Sequence, residues 1–216
     1  IIDLKGKHVY PGLIAAASVI GLTEIGAVAV TRDYSERGEV NPNVRAEVAY
    51  NPDSEIIPVT RSNGITLAHS CPTGGLISGT SAIMMLDGWT WEKATLKAPA
   101  GLHINWPDMG TVDRWRHRVS EEDATKRREE ALKKLDSAFD EARRYLVAKQ
   151  ADAGSGIIKH NKDLRWEVMV PVLNKEVPVF MHASEIRQII SAVEWANRQN
   201  VKIVIVGGYD AWRVAD

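Results

Sequence analysis

Two histidines stand at the ends of apolar runs. His69 closes Ile65-Thr66-Leu67-Ala68-His69, and His103 lies in Gly101-Leu102-His103-Ile104-Asn105 just before Trp106-Pro107. Both runs predict strands, and α/β enzymes gather their chemistry at the carboxyl ends of strands. A neutral imidazole offers a lone pair to a metal or a proton, but one imidazole alone holds a divalent ion weakly. Cys71 follows His69 by two residues, with no helix N-terminus to lower its pKa and no G-x-S-x-G elbow nearby, so it reads as an unactivated thiol. The glycine-rich stretch from Pro72 to Ser81 has backbone N–H groups that an anion could use. It lacks the G-x-x-x-x-G-K-[ST] spacing, and Gly74-Gly75 between apolar runs reads instead as a tight loop. Trp89, Trp91, Trp106 and Trp115 suggest an aromatic cluster, read as packing rather than as a stacking platform for sugars or bases.

The elements that must position these groups follow from periodicity and breakers. Lys5-Gly6-Lys7 is a polar turn between a short strand at Ile1 to Leu4 and another beginning at Val9-Tyr10. The small apolar run from Leu13 to Val19 suits a strand buried on both faces. Asn41-Pro42-Asn43 caps a short helix over Val44 to Tyr50, and Glu55 to Asn63 forms a helix with Pro58 in its first turn and Gly64 as its stop. Helix, glycine stop and apolar strand in that order predict a parallel α/β sheet. Ala82 to Leu86 is a further strand, and Trp89 to Lys97 a short helix or irregular cover.

Asp113 to Lys149 is a charged run containing an amphipathic helix. Ser120 caps it, Glu121, Glu122 and Asp123 suit its positive end, and Ala131, Leu135, Ala138, Phe139, Ala142, Tyr145 and Leu146 form one apolar stripe. Its mixed charges read as a solvated face, and its length suggests an insertion or an oligomer contact. Beyond it, Asp163 caps a helix over Leu164 to Asn174, Val177 to Ala183 is a strand that includes His182, and Ser184 to Gln199 is a helix. Val201 to Val206 is then a strand, and a helix starts at Asp210.

The chain has 216 residues, 44% hydrophobic and 25% charged, with a net charge of −1. Its isoelectric point is near 6.7. That composition supports one sizeable core and gives no bulk attraction to nucleic acid or anionic membranes. No apolar run approaches the ~18 residues of a membrane span. A single cysteine excludes an intrachain disulfide framework and favours a cytoplasmic location, although the chain opens with Ile inside a strand pattern, so a signal peptide could precede it.

Three stretches carry a family resemblance. Gly6-Lys7-His8-Val9-Tyr10-Pro11-Gly12-Leu13-Ile14 resembles the G-K-x-V-x-P-G-L-I-D-x-H-x-H opening of the amidohydrolase superfamily, in its imidazolonepropionase-like branch. Gly74 to Ala82 is similar to that branch's G-G-x-I-x-G-x-x-A, and Pro178 to Ala183 to its P-V-x-x-H-A. The resemblance implies an α/β fold: a partial TIM-like (β/α) barrel with a remnant of the N-terminal β-sandwich strands. Residues 1–12 would then be the sandwich remnant and barrel entry, and residues 13–216 an incomplete barrel carrying the long charged helix at about 120–150, the whole a fragment truncated at both ends with about five of eight strands.

The resemblance also implies metal-assisted hydrolysis of amide or cyclic C–N bonds, with zinc or another divalent ion held by a first-strand histidine pair, two later histidines and an aspartate. Of these, His182 stands at a matching position. The first-strand pair is replaced by Ala17 and Val19, the later histidine by Gly207, and the family's aspartate before the pair by Ala15. The expectation is therefore an amidohydrolase-like protein inactive in this form and without a cofactor, the alternative being a relative that binds a small molecule or a partner in the barrel-mouth cleft. Recruitment of His69 and His103 beside His182 would rebuild a metal site. An open barrel exposes two sheet edges, so a homo-oligomer is expected, with contacts near residues 13–19 and 201–206.

Overall fold

The computed structural model describes residues 5–110, 120–155 and 160–215. A six-stranded sheet runs in chain order: β1 (Leu13–Ser18), β2 (Ile65–Ser70), β3 (Ile77–Met85), β4 (Thr95–Asn105), β5 (Val179–Ala183) and β6 (Ile203–Gly207). The helices are α1 (Ile56–Ser62), α2 (Trp91–Ala94), α3 (Glu121–Ser155), α4 (Leu164–Leu173) and α5 (Ile186–Gln199). The predicted Ile1–Leu4 strand and Trp115 lie outside the described residues. α3 runs beyond the charged run that ends at Lys149 and continues through Ala153 and Gly154 to Ser155, residues that read in the sequence as a stop.

The expected parallel sheet is half right. β1 pairs with β2, β4 with β5 and β5 with β6 in parallel, but β2–β3 and β3–β4 are antiparallel. Connection length decides this. Residues 71–76 and 86–94 are too few for the crossover a parallel pair requires, so the chain returns as hairpins.

β1 corrects a second expectation. Leu13 is 63% and Ile14 59% exposed, because β1 is an edge strand with β2 as its partner on one side. Its apolar run satisfies the requirement for a doubly buried strand without receiving the cover. Val9 and Tyr10 are exposed and hold no strand, so residues 5–12 contribute a turn at Lys5-Gly6 followed by irregular chain.

The helices lie where capping chemistry places them. Pro58 occupies the first turn of α1, and Gly64 follows its end at φ +83°. The Ser120 hydroxyl accepts from the Asp123 N–H at 3.1 Å, and the Asp163 carboxylate accepts from the Arg165 N–H at 2.9 Å. Glu185 and Gln188 form a capping box at the start of α5, which ends at Asn200 in the left-handed region. The helix expected over Val44 to Tyr50 shrinks to one 3-10 turn, Ala46–Ala49, with no side-chain cap.

Two cores result. The larger packs Leu102 and Ile104 of β4 and Val179, Met181 and Ala183 of β5 against α3, α4 and α5. Trp195 is its centre, edge-on to Phe139 at 4.8 Å and to Trp106 at 5.5 Å, with its indole N–H donating to Asp136 at 2.8 Å. The smaller packs Ala68, Ala82, Met84 and Leu86 against Leu22, Tyr50, Ile57 and Ala94. The expected tryptophan cluster is thereby divided: Trp106 belongs to the first core, Trp91 borders the second, and Trp89 is 87% exposed. Alternation along each strand sends His69, Ser81, His103, Phe180 and His182 to the opposite face from these cores.

Candidate metal centre

On that face three strands bring together all three predicted histidines. His103, fully buried, lies on β4 with its Nδ1 2.9 Å from Nε2 of the half-buried His182 on β5. His69, on β2, is 6% exposed, and its ring centroid is 5.6 Å from that of His103. Phe180 fills the space among them, stacked on His103 at 5.0 Å and tilted against His69 at 4.9 Å. Gly101 makes this possible: a Cβ there would meet Phe180 Cδ2 at 2.1 Å.

The hydrogen bonds fall into two separate groups, one at His69 and one at His103. Ser81 Oγ donates to the Gly101 carbonyl at 3.3 Å and lies 2.7 Å from His69 Nε2. With its proton committed to that carbonyl, Ser81 accepts from His69 Nε2–H, which leaves Nδ1 of His69 as the bare nitrogen. His103 has one nitrogen on His182, and its Nε2, wholly buried, has no hydrogen-bond partner among the described residues. An unpartnered buried nitrogen is costly, on the order of 1–3 kcal/mol.

Burial sets the protonation states. It pushes His103 down to about 3, reinforced by the neighbouring His182 and His69, and it lowers His69 and His182 as well. All three rings are therefore neutral at pH 7, with lone pairs available. The Cys71 thiol is 2% exposed and is pushed up to about 12 by burial, partly offset by a hydrogen bond from the Ser18 backbone; it donates to the His69 carbonyl at 3.3 Å. As expected, this is no nucleophile at neutral pH.

Cys71 nevertheless matters. Ligand atoms of His69, Cys71 and His103 all lie within 4.8 Å of one another. The spacing of two residues carried the signal, since positions i and i+2 share a face wherever a chain continues extended. Ser81 and Phe180 had no signal of their own in the sequence.

The positions matched to the family's other ligands lie elsewhere. Ala17 is exposed at φ +48°, where the β1–β2 register shifts between Ala15 and Ser18. Val19 packs against the smaller core. Gly207 sits at φ +91°, and a Cβ there would meet Ser184 Oγ at 2.7 Å. Ala17, Val19 and Gly207 supply no donor, and at Gly207 any side chain would be strained by the positive φ. A divalent centre of the family's pattern does not fit them.

No protein-family model and no curated protein matches this chain. Among solved structures, an amidohydrolase from Thermotoga maritima MSB8 is similar in fold, with a TM-score of 0.81 and 24% identity over 100% of this chain and 57% of that one. The chain thus spans a little over half the length of that neighbour. The likeness bears out an α/β fold with a barrel-like six-stranded sheet, which is compatible with the expected partial TIM-like barrel.

Proposed function

We propose that this chain is an amidohydrolase-like partial barrel of the imidazolonepropionase-like branch without hydrolytic activity of its own. The observation that carries the reading is that Ala17, Val19 and Gly207 stand where the first-strand and later histidines would be and offer no ligand atom, with no room at Gly207, where a Cβ would meet Ser184 Oγ at 2.7 Å. Amide hydrolysis of this kind needs an ion held by several ligands with one position open to water. The histidines that are present form instead a cluster wedged by Phe180, in which His103 is hydrogen-bonded to His182 and His69 to Ser81. A screen of N-acyl amino acids, dipeptides and cyclic amides, with and without added zinc, should give no turnover above background. Zinc-dependent turnover abolished by His182→Ala would overturn the proposal.

A partner-binding role is favoured by the sheet edges. β1 and β6 are the two outer strands, and Leu13, Ile14 and Val204 are exposed there. Edges of this kind pair with other chains, so the functional unit is a homo-oligomer joined near residues 13–19 and 201–206. A monomer by light scattering across a wide concentration range would refute this. An outer cleft of about 450 Å³, lined by Asp53, Arg61, Asp87 and Trp89 among others, shares no residue with the histidine cluster. Among the described residues no helix is long and apolar enough to cross a membrane. The lone buried thiol fits a reducing, cytoplasmic setting.

A further inference from the structure

We infer that His69, Cys71 and His103 form a buried site for one zinc-like cation that ties β2 to β4 across β3. It differs from the family's centre, being built on Cys71 and on the second strand rather than on a first-strand histidine pair.

Three independent features point to an ion. The first is the donor set: two imidazoles and one thiol, with ligand atoms within 4.8 Å of one another, are the nitrogen and sulfur donors that select zinc over magnesium or calcium. Around a tetrahedral zinc such atoms stand about 3.3–3.6 Å apart, given Zn–N of about 2.0 and Zn–S of about 2.3 Å. The widest separation must therefore close by at most about 1.5 Å. Cys71 can supply that movement, since it lies one residue beyond the end of β2.

The second feature is the orphaned nitrogen. His103 Nε2 is buried without a partner while Nδ1 is engaged by His182. An ion at Nε2 would satisfy it. The third is the support behind each ligand: Ser81 accepts from Nε2–H of His69, and Nδ1 of His103 lies 2.9 Å from Nε2 of His182, a pairing that in the Nδ1–H tautomer of His103 leaves its Nε2 lone pair free for an ion. Ligating histidines are characteristically held by such a bond from their other ring nitrogen, which fixes the tautomer and aims the lone pair. The Ser18 backbone N–H at Cys71 plays the same part for sulfur, stabilising a thiolate.

The proton balance is simple. Sulfur exchanges its bond to hydrogen for one to the metal, and the proton leaves to solvent; the neutral imidazoles release none. One proton should appear per ion bound near pH 7.5.

Cobalt(II) titration of the full chain tests this, because Cys71 is the single cysteine and a thiolate-to-cobalt charge-transfer band can arise from no other residue. The expected result is one cobalt per chain, that band, one proton released per ion, displacement by zinc, and at least a hundredfold weaker binding in Cys71→Ser. A folded chain that takes up no cobalt, or takes it up without the band, would overturn the inference. So would Cys71→Ser of undiminished affinity. Band without turnover leaves this inference and the non-hydrolytic reading both standing. Band with turnover lost in Cys71→Ser keeps the site and removes that reading, and neither band nor turnover does the reverse.

Discussion

Acid should unfold this protein through His103, and the effect can be sized. The ring is wholly buried and titrates at about 3 in the fold against 6.5 when free. Because the folded value is the lower one, the unfolded chain takes up the extra proton. The contribution is therefore complete above about pH 6.5 and is lost as pH falls toward 3. Linkage gives a loss of about 2 kcal/mol between pH 7.5 and pH 5, and about 3 kcal/mol by pH 4. Against a stability of roughly 5–15 kcal/mol for a domain, that is a large fraction. His69 and His182, lowered in the same direction by burial, add to it. The assay is urea unfolding with chelator at pH 7.5 and pH 5, comparing the unmodified chain with His103→Gln. Whatever the variant's own stability, its loss between the two pH values should be smaller by about 2 kcal/mol, with the urea slope unchanged. Equal losses in the two proteins would show that the cluster accepts a proton without unfolding, and the assignment of a neutral, closed cluster would fail.

Other consequences are open to direct measurement. Trp195→Ala should cost about 3–5 kcal/mol, since it empties the centre of the larger core and strips Asp136 of its indole donor; a shift below 1 kcal/mol in chemical denaturation would contradict that packing. Gly101→Ala should destabilise by about 1–3 kcal/mol by driving a methyl into Phe180, and Phe180→Leu in the same chain should recover part of the loss; strictly additive effects would refute the contact. Cys71 should react with a disulfide reagent at pH 8 far more slowly in the native chain than in denaturant, and comparable rates would mean the thiol is not shielded.

The C-terminal half was legible in the sequence because local signals agree there. Asp163 as a cap and the run from Ser184 to Gln199 announce helices, which are found as α4 and α5. The N-terminal half was less so. Leu13 and Ile14 look like core residues, but burial depends on what covers a strand, and that is decided by distant parts of a chain. Strand direction failed for a related reason: apolar runs mark β3 and β4, whereas the short connections at 71–76 and 86–94 make them antiparallel. His69, His103 and His182 were each visible as strand histidines. Their meeting depends on sheet order, and Phe180 beside Gly101 acquires significance only through register.

The backbone at Ala17 and Gly207 changes how anyone searching for restored activity should search. A left-handed conformation costs an ordinary side chain about 1–2 kcal/mol; Ala17 already bears that cost, whereas a histidine introduced at Gly207 starts at a deficit before any ion arrives. At Gly207 it also displaces Ser184. Libraries of side-chain replacements meet a downhill step at Gly207, and the gains appear only after several steps are taken together. Loop-length variation around residues 15–19 and 206–209, which lets the chain itself find another path, is the move that could cross it.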